Sequence, residues 1–251
     1  MIPIFVVMER YFIQLAYDGT NYHGWQVQAN ASTVQEQLET VFSTLLKEEI
    51  KFAGSGRTDT GVHASYFVAH IETGYQDLES REDFIYNVNK FLPDDIVVHR
   101  INRVDSELHA RFSAKYRTYH YRINRSKALF NRAYNYYYYI DLDTDLIREA
   151  CDILLTYTDF TSFSKLHTDV KTNNCKIYHA NWKESDESYI FEIKADRFLR
   201  NMVRSIVGTL LDVGSGKTSI QEFRDIIEAK ERGRAGRSAP AHALFLVDIG
   251  Y

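Results

Sequence analysis

Gly54-Ser55-Gly56-Arg57-Thr58-Asp59-Thr60-Gly61-Val62-His63-Ala64 holds three glycines, one arginine and one acid, with no regular apolar period. An ordinary surface turn needs one glycine for its positive φ, whereas three let the backbone bend twice and let a bulky ligand approach closely. Loops of this kind often carry function. Ile50 to Ala53 reads as a short strand entering the loop and Ser65 to Ile71 as the strand leaving it, so Asp59 is held from both sides.

Working outward, Tyr11, Ile13, Leu15 and Tyr17 alternate with Phe12, Gln14 and Ala16, the period of a strand, and Asp18-Gly19 turns it. A polar-aromatic loop follows through Trp25. Ser32 with Gln35 predicts a capping box before a helix whose apolar face is Val34, Leu38, Val41, Phe42, Leu45 and Leu46, ending near Glu48. Beyond the loop, Ser80 with Asp83 predicts the start of a second helix bearing Phe84, Ile85, Val88, Phe91 and Leu92. Pro93 closes it before the strand Ile96 to Ile101. The order is β-α-β-β-α-β, the split βαβ or ferredoxin-like arrangement.

The remainder approximates that order again. Strands are expected near Tyr116 to Ile123 and Tyr136 to Ile140, then a helix near Asp145 to Leu155 and a hairpin of Lys176 to Lys183 with Tyr189 to Ala195. Helices near Leu199 to Asp212 and Ile220 to Ala229 precede a final strand, Leu244 to Ile249. The expected fold is mixed α/β: two ferredoxin-like halves sharing a mainly antiparallel sheet, helices on one face, the other face open as a cleft. With no low-complexity linker, Val104 to Ala110 is the expected junction, giving halves over 9–108, with the loop, and 109–251. Residues 1–8 read as an N-terminal extension, because Met8 precedes the first clear strand.

The 251 residues, 45% hydrophobic and 25% charged, suffice for a substantial core. Two cysteines, Cys151 and Cys175, without paired spacing or clustered histidines, indicate neither a disulfide framework nor a metal site. The apolar Met1 to Val7 lacks the basic leader and long apolar segment of a secretory signal, and no stretch reaches membrane-spanning length, so the expected location is cytoplasmic. Net charge is −4 and pI about 6.1, against a polyanion partner at first sight. The distribution points the other way. From Arg100 to Arg132 nine basic residues meet only Asp105 and Glu107, and further clusters hold Lys194, Arg197, Arg200 and Arg204, then Lys230, Arg232, Arg234 and Arg237. Each alone fits a solvated face; together they favour a polyanion groove.

Arg57, two positions from Asp59, can keep a carboxylate ionised after substrate has expelled water, and such a group serves as nucleophile or base. The local pattern equally fits an Arg-Asp pair that pins a turn. In the strand near 116–123, alternation puts Arg117, Tyr119 and Tyr121 on one face; Tyr119 suits a platform for a splayed-out base or a ring packed on a sheet. Helical spacing sets Arg200, Val203, Arg204 and Val207 near one side of their helix, either flooring a pocket or packing on the sheet. His63 reads as a hydrogen-bonded structural group. Gly214-Ser215-Gly216-Lys217-Thr218 imitates a phosphate-binding loop, but Leu211 stands where its first glycine belongs and a helix precedes it, so no nucleotide cofactor is expected.

The central string closely resembles the Arg-Thr-Asp-Ala-Gly-Val-His-Ala signature of the tRNA pseudouridine synthase A family, with Thr60 in place of Ala. Matching blocks recur in order along nearly the whole chain: Tyr17-Asp18-Gly19, Tyr22-His23-Gly24-Trp25-Gln26, Thr33-Val34-Gln35, His109-Ala110-Arg111-Phe112-Ser113-Ala114, Arg117-Thr118-Tyr119-His120-Tyr121, Asp159-Phe160-Thr161-Ser162-Phe163 and Met202-Val203-Arg204-Ser205-Ile206-Val207-Gly208. A second departure is Ala243, where the family usually has glycine. The resemblance implies the pseudouridine synthase fold and isomerisation of uridine at positions 38, 39 and 40 of the tRNA anticodon stem-loop. It implies a homodimer and a reaction with neither metal nor cofactor. It makes Asp59 the catalytic nucleophile and Tyr119, Arg57, Arg204 and Val203 substrate-binding. The alternatives are a related synthase with another RNA target, a non-catalytic RNA-binding module of the same fold, and a nucleotide-dependent enzyme built on Gly216-Lys217.

Overall fold

The computed structural model describes residues 7–165 and 172–251, apart from the side chain of Glu82. Of the expected N-terminal extension, residues 1–6 therefore lie outside the described residues, and Val7 and Met8 are exposed. By its contacts the chain divides into two compact units, one of residues 1–115 with 247–251 and one of 116–246.

The first unit runs β1 Glu9–Tyr17, α1 Val34–Leu46, β2 Ala53–Gly54, β3 His63–Thr73, α2 Glu82–Phe91 and β4 Ile96–Val104, the β-α-β-β-α-β order read from the sequence. β1 pairs antiparallel with β3 and with β4, setting Ile13 between Ala69 and Ile101. Alternation along β1 buries Tyr11, Ile13, Leu15 and Tyr17. α1 contributes the matching apolar stripe of Val34, Leu38, Val41, Phe42 and Leu46. Phe42 packs edge-on against Phe52 at 4.9 Å and against Phe84 of α2 at 5.6 Å, which ties both helices to one core. A ring so placed contributes about 2 kcal/mol by burial, and its truncation to Ala costs about 3–5 kcal/mol because a cavity remains.

Both helix starts differ from the sequence expectation. Thr33, not Ser32, caps α1 by accepting from the amide of Glu36. Gln35 is drawn away instead: its Nε2 donates to Glu39 Oε1 and to the Phe52 carbonyl, so it braces the strand entry to the glycine loop. At α2 a short 3-10 turn, Leu78–Ser80, buries Leu78, and the capping position falls to Arg81 with no side-chain cap. Its end is as expected: Leu92 is extended (φ −70°, ψ 150°), the conformation Pro93 imposes on the residue before it.

The second unit contains β5 Tyr116–Asn124, β6 Tyr136–Tyr137, α3 Thr144–Leu154, β7 Ile177–Glu184, β8 Ser188–Ala195, α4 Met202–Gly214 and α5 Ile220–Ala229. β8 pairs antiparallel with β5 and β7 on either side, and the short β6 pairs parallel with β5. β6 is cut to two residues: Tyr136 and Tyr137 meet Ile123 and Asn124 at the very end of β5, where no further partner residues remain. β9, Leu244–Gly250, has residues in both units. α4 is buried on nearly every side, and at Gly208 a side chain would collide with the Arg237 carbonyl. The result is a mixed α/β chain of mostly antiparallel strands.

Candidate active site

In the first unit, the loop between β2 and β3 is clamped by the stretch that follows β1. Gly61 takes a φ of 75°, donates to the Tyr22 carbonyl at 3.3 Å and so turns the chain just after Asp59. The Val62 amide closes the turn onto the Asp59 carbonyl at 3.1 Å. On the other side of Asp59, the Thr58 carbonyl accepts from the Trp25 amide at 3.3 Å, and the Thr58 hydroxyl meets the Tyr17 phenol at 2.9 Å. Trp25 stacks on Phe67 of β3 with ring centres 4.2 Å apart.

The glycines divide the work. A side chain at Gly54 would run into the Trp25 indole, one at Gly19 into the Val62 carbonyl and one at Gly24 into the Thr58 carbonyl, so these permit close approach of the two stretches. Gly56 has open space around its Cα. The polar-aromatic loop through Trp25, given no role in the sequence reading beyond its resemblance, is thus the clamp on the Asp59 turn. Its only local signal was an unusual pairing of glycines with large aromatics.

Asp59 is half-buried on this turn, whereas Arg57 is exposed, and among the described residues no ion pair joins them. Arg57 is therefore available to a ligand. Thr60, the departure from the family pattern, points outward and is exposed. His63 is buried, and the Gly19 amide donates to its Nδ1 at 3.0 Å. The same nitrogen lies 2.9 Å from the Asp18 carboxylate, which also accepts from the Thr20 amide and hydroxyl.

In the second unit, Tyr119 lies on β5 opposite Ile193, half-buried, with Phe198 edge-on to its ring at 5.1 Å. Phe198, in the turn ahead of α4, was missed; its signal was a lone aromatic between Arg197 and Arg200. The Arg117 guanidinium donates to the Asp196 carbonyl at 2.9 Å and steadies that turn. α4 begins at Met202, later than expected, because Asn201 sits in the left-handed region at φ 66°. Arg200 is consequently outside the helix and does not share its side with Val203 and Arg204. Val203 is buried. Arg204 Nε donates to the Ala239 carbonyl at 2.7 Å while the Ala239 amide returns a bond to the Arg204 carbonyl, and the Tyr121 phenol donates to the Pro240 carbonyl at 2.9 Å. β5 and α4 thus converge on Ala239-Pro240. Ala243, the second departure, is fully buried in the 3-10 turn that follows. Asp59 and Arg57 belong to the first unit, and Tyr119, Val203 and Arg204 to the second.

Gly214 closes α4 rather than opening a helix, and Lys217 lies 3.6 Å from Asp212, so this loop is a helix end. Among the described residues no group of three or more His, Cys, Asp or Glu is arranged around a common metal position, and no helix is long and apolar enough to cross a membrane.

A turn-borne carboxylate with an arginine displayed beside it suits nucleophilic or base chemistry. The family described as tRNA pseudouridine synthase matches residues 14–113 and 150–251, and the chain belongs to that family. It is similar to tRNA pseudouridine synthase A of Bacteroides thetaiotaomicron, 53% identical over 247 residues that cover 97% of this chain and 91% of that protein. The enzyme of the same name from Bacteroides fragilis is 53% identical over 245 residues, covering 97% of each. That of Clostridium acetobutylicum is 42% identical over 246 residues, 97% of this chain and all of the other. Asp59, Arg57, Val203 and Arg204 lie inside the matched ranges; Tyr119 lies between them.

Proposed function

We propose that this chain isomerises uridine to pseudouridine in the anticodon stem-loop of tRNA, at positions 38, 39 and 40, with Asp59 as the catalytic nucleophile. The class of reaction, isomerisation of uridine in tRNA, follows from membership of the family. The observation that carries the role of Asp59 is its position on a turn braced from both flanks yet only half-buried, which suits a carboxylate that must keep its place when a nucleotide arrives. In the reaction the bond from the sugar to N1 of uracil breaks, the base turns, and a bond to C5 forms; the C5 proton leaves and N1 gains one, so nothing is oxidised or reduced. No metal, nucleotide or redox cofactor enters this scheme.

The nucleotide has to leave the stack before the carboxylate can reach its sugar, and extracting a base costs a few kcal/mol. Arg57, exposed next to Asp59, takes the vacated place or a phosphate. Tyr119 stacks on the extruded uracil. Val203 and Arg204 bind the substrate, the Arg204 guanidinium held in place by the Ala239 carbonyl. The enzyme works as a cytoplasmic homodimer, which widens modest basic clusters into a groove of tRNA dimensions.

The test is a pseudouridine map of an unmodified tRNA transcript incubated with the protein alone, beside Asp59→Asn. New pseudouridine at positions 38 to 40 that is absent with the variant is expected. Product elsewhere would move the target to another RNA site, and salt-sensitive binding without product would leave an RNA-binding module. Sedimentation as a monomer at assay concentration would remove the dimer.

A further inference from the structure

The His109-Ala110-Arg111-Phe112-Ser113 block has no part in the chemistry above, yet the first unit holds it unusually firmly. His70 of β3 is buried, and its Nδ1 accepts from the Ala110 amide at 3.2 Å. The Tyr251 phenol donates to the Ala110 carbonyl at 2.7 Å, and Arg10 donates to the Leu108 carbonyl at 2.9 Å. His109 folds back over its own chain, its Nδ1 facing the amides of Arg111 at 3.0 Å and Phe112 at 3.4 Å. Its ring stands edge-on to His70 with centres 4.6 Å apart. Ser113 closes the turn, its amide on the His109 carbonyl and its hydroxyl accepting from the His109 amide, both at 2.9 Å.

This braced turn presents Phe112 to solvent. The ring is 75% exposed, with His109 against it at 4.4 Å and the Arg111 guanidinium 5.5 Å from its centre. A single exposed phenylalanine is ordinary on a protein surface. What sets this one apart is that the stretch before it is pinned at Leu108 and Ala110 by Arg10, Tyr251 and the buried His70, and that a cation flanks it. Arg111 and Lys115 are exposed on the same stretch, and the other exposed apolar side chain there, Leu108 at 37%, is not aromatic, so Phe112 is the one ring this turn offers among its cations. The acids Asp105 and Glu107 precede the pinned stretch. One rigid aromatic face with adjacent cations fits an unpaired nucleobase stacked on the ring and its phosphates on the arginine and lysine.

We propose that Phe112 is a stacking platform for an unpaired base of the RNA substrate, a positioning residue rather than one that touches the isomerised uridine. The proposal rests on the tRNA-modifying reading above and names a contact of that same substrate. A base stacked here fixes where the RNA lies and leaves bond-making to Asp59, so Phe112 acts on binding rather than on the chemical step.

The experiment compares the full chain with Phe112→Ala and Phe112→Trp on an unmodified tRNA transcript, reading equilibrium binding and single-turnover pseudouridine formation separately. One stacked base lost corresponds to about tenfold or more in affinity. Phe112→Ala is expected to weaken tRNA binding and raise KM by about that factor, with the rate at saturating tRNA held within about threefold, while Phe112→Trp binds as well as the native chain. Trp25 and Trp182 are each 2% exposed, so under excitation selective for tryptophan the introduced indole is the accessible one, and tRNA is expected to quench it and shield it from iodide. Native affinity in Phe112→Ala, or an introduced indole that tRNA neither quenches nor shields, overturns the proposal. Binding is read without turnover, so a chain that binds tRNA but makes no pseudouridine would defeat the catalytic reading while the indole signal still decides the platform.

Discussion

The Tyr17 phenol and the Thr58 hydroxyl lie 2.9 Å apart, both buried, and this contact joins the end of the first strand to the residue beside Asp59. It links the two parts of the chain that have to agree for the carboxylate to hold its position: a strand fixed by the core and a turn free of regular structure.

Replacing Tyr17 by Phe keeps the ring's packing against Trp25 and Phe67 but leaves the Thr58 hydroxyl without that partner. A buried polar group so stranded costs about 1–3 kcal/mol. Chemical denaturation is expected to show a loss in that range, and single-turnover pseudouridine formation to slow by about tenfold, because a small misplacement of a catalytic group costs rate before it costs binding. Unchanged rate with lowered stability would mean that the turn is held without Tyr17.

Gly19 and Gly56 are expected to respond oppositely to alanine. At Gly19 the new methyl collides with the Val62 carbonyl, backbone against backbone, so one of the two stretches must move. A loss of about 2 kcal/mol or more, with activity lost alongside, is expected. At Gly56 nothing lies within 4 Å of the added carbon, and a neutral or slightly stabilising change of about 0.5 kcal/mol is expected. Thermal melts of both variants decide it; equal losses would contradict the division of roles among these glycines.

Arg57→Ala removes an exposed cation with no ion-pair partner among the described residues, so fold stability should be unchanged within about 0.5 kcal/mol. If Arg57 meets phosphate, the slope of log affinity against log salt falls by about 0.7–0.9 in magnitude. A loss of rate with an unaltered salt slope would instead assign it to displacement of the target base.

Stability should fall below neutral pH through His70. Burial, with the charges of His109 and Arg10 nearby outweighing Glu72, lowers its pKa from 6.5 to about 4. Between those values the unfolded chain takes up a proton that the folded chain refuses. Stability therefore rises with pH across this window, is fully present above 6.5, and is lost as pH falls toward 4. The loss is about 2 kcal/mol once solvent screening is allowed for. Urea midpoints at pH 7.5 and 4.5 should show it, and His70→Gln should flatten the difference. An equally steep loss in the variant would place the proton uptake elsewhere.

The core strands and helices were legible because their residues follow local periods. Tyr11 to Tyr17 alternate, and the stripe from Val34 to Leu46 repeats every three or four positions, and neither pattern can be buried in any other way. Helix starts were less legible. Ser32 and Thr33 are both capping residues, and the choice fell to Thr33 because Gln35 was taken by Glu39 and Phe52, partners remote in sequence. Asn201 delayed α4 by adopting a left-handed conformation that only its bonds to Ser205 and Ser238 make visible.

At the candidate site the same division holds. By itself the sequence determined the chemical inventory, Asp59 and Arg57 in a glycine loop between two strands, since residue types and spacing are covalent facts. What only the tertiary structure decided was the setting: Trp25 and the Tyr17 phenol clamp the Asp59 turn, Ala239 orients Arg204, and Phe112 stands on a turn pinned by His70 and Tyr251. Those contacts join residues far apart along the chain, and their energies depend on burial and on which hydrogen-bond partners remain free, neither of which exists until the chain has folded.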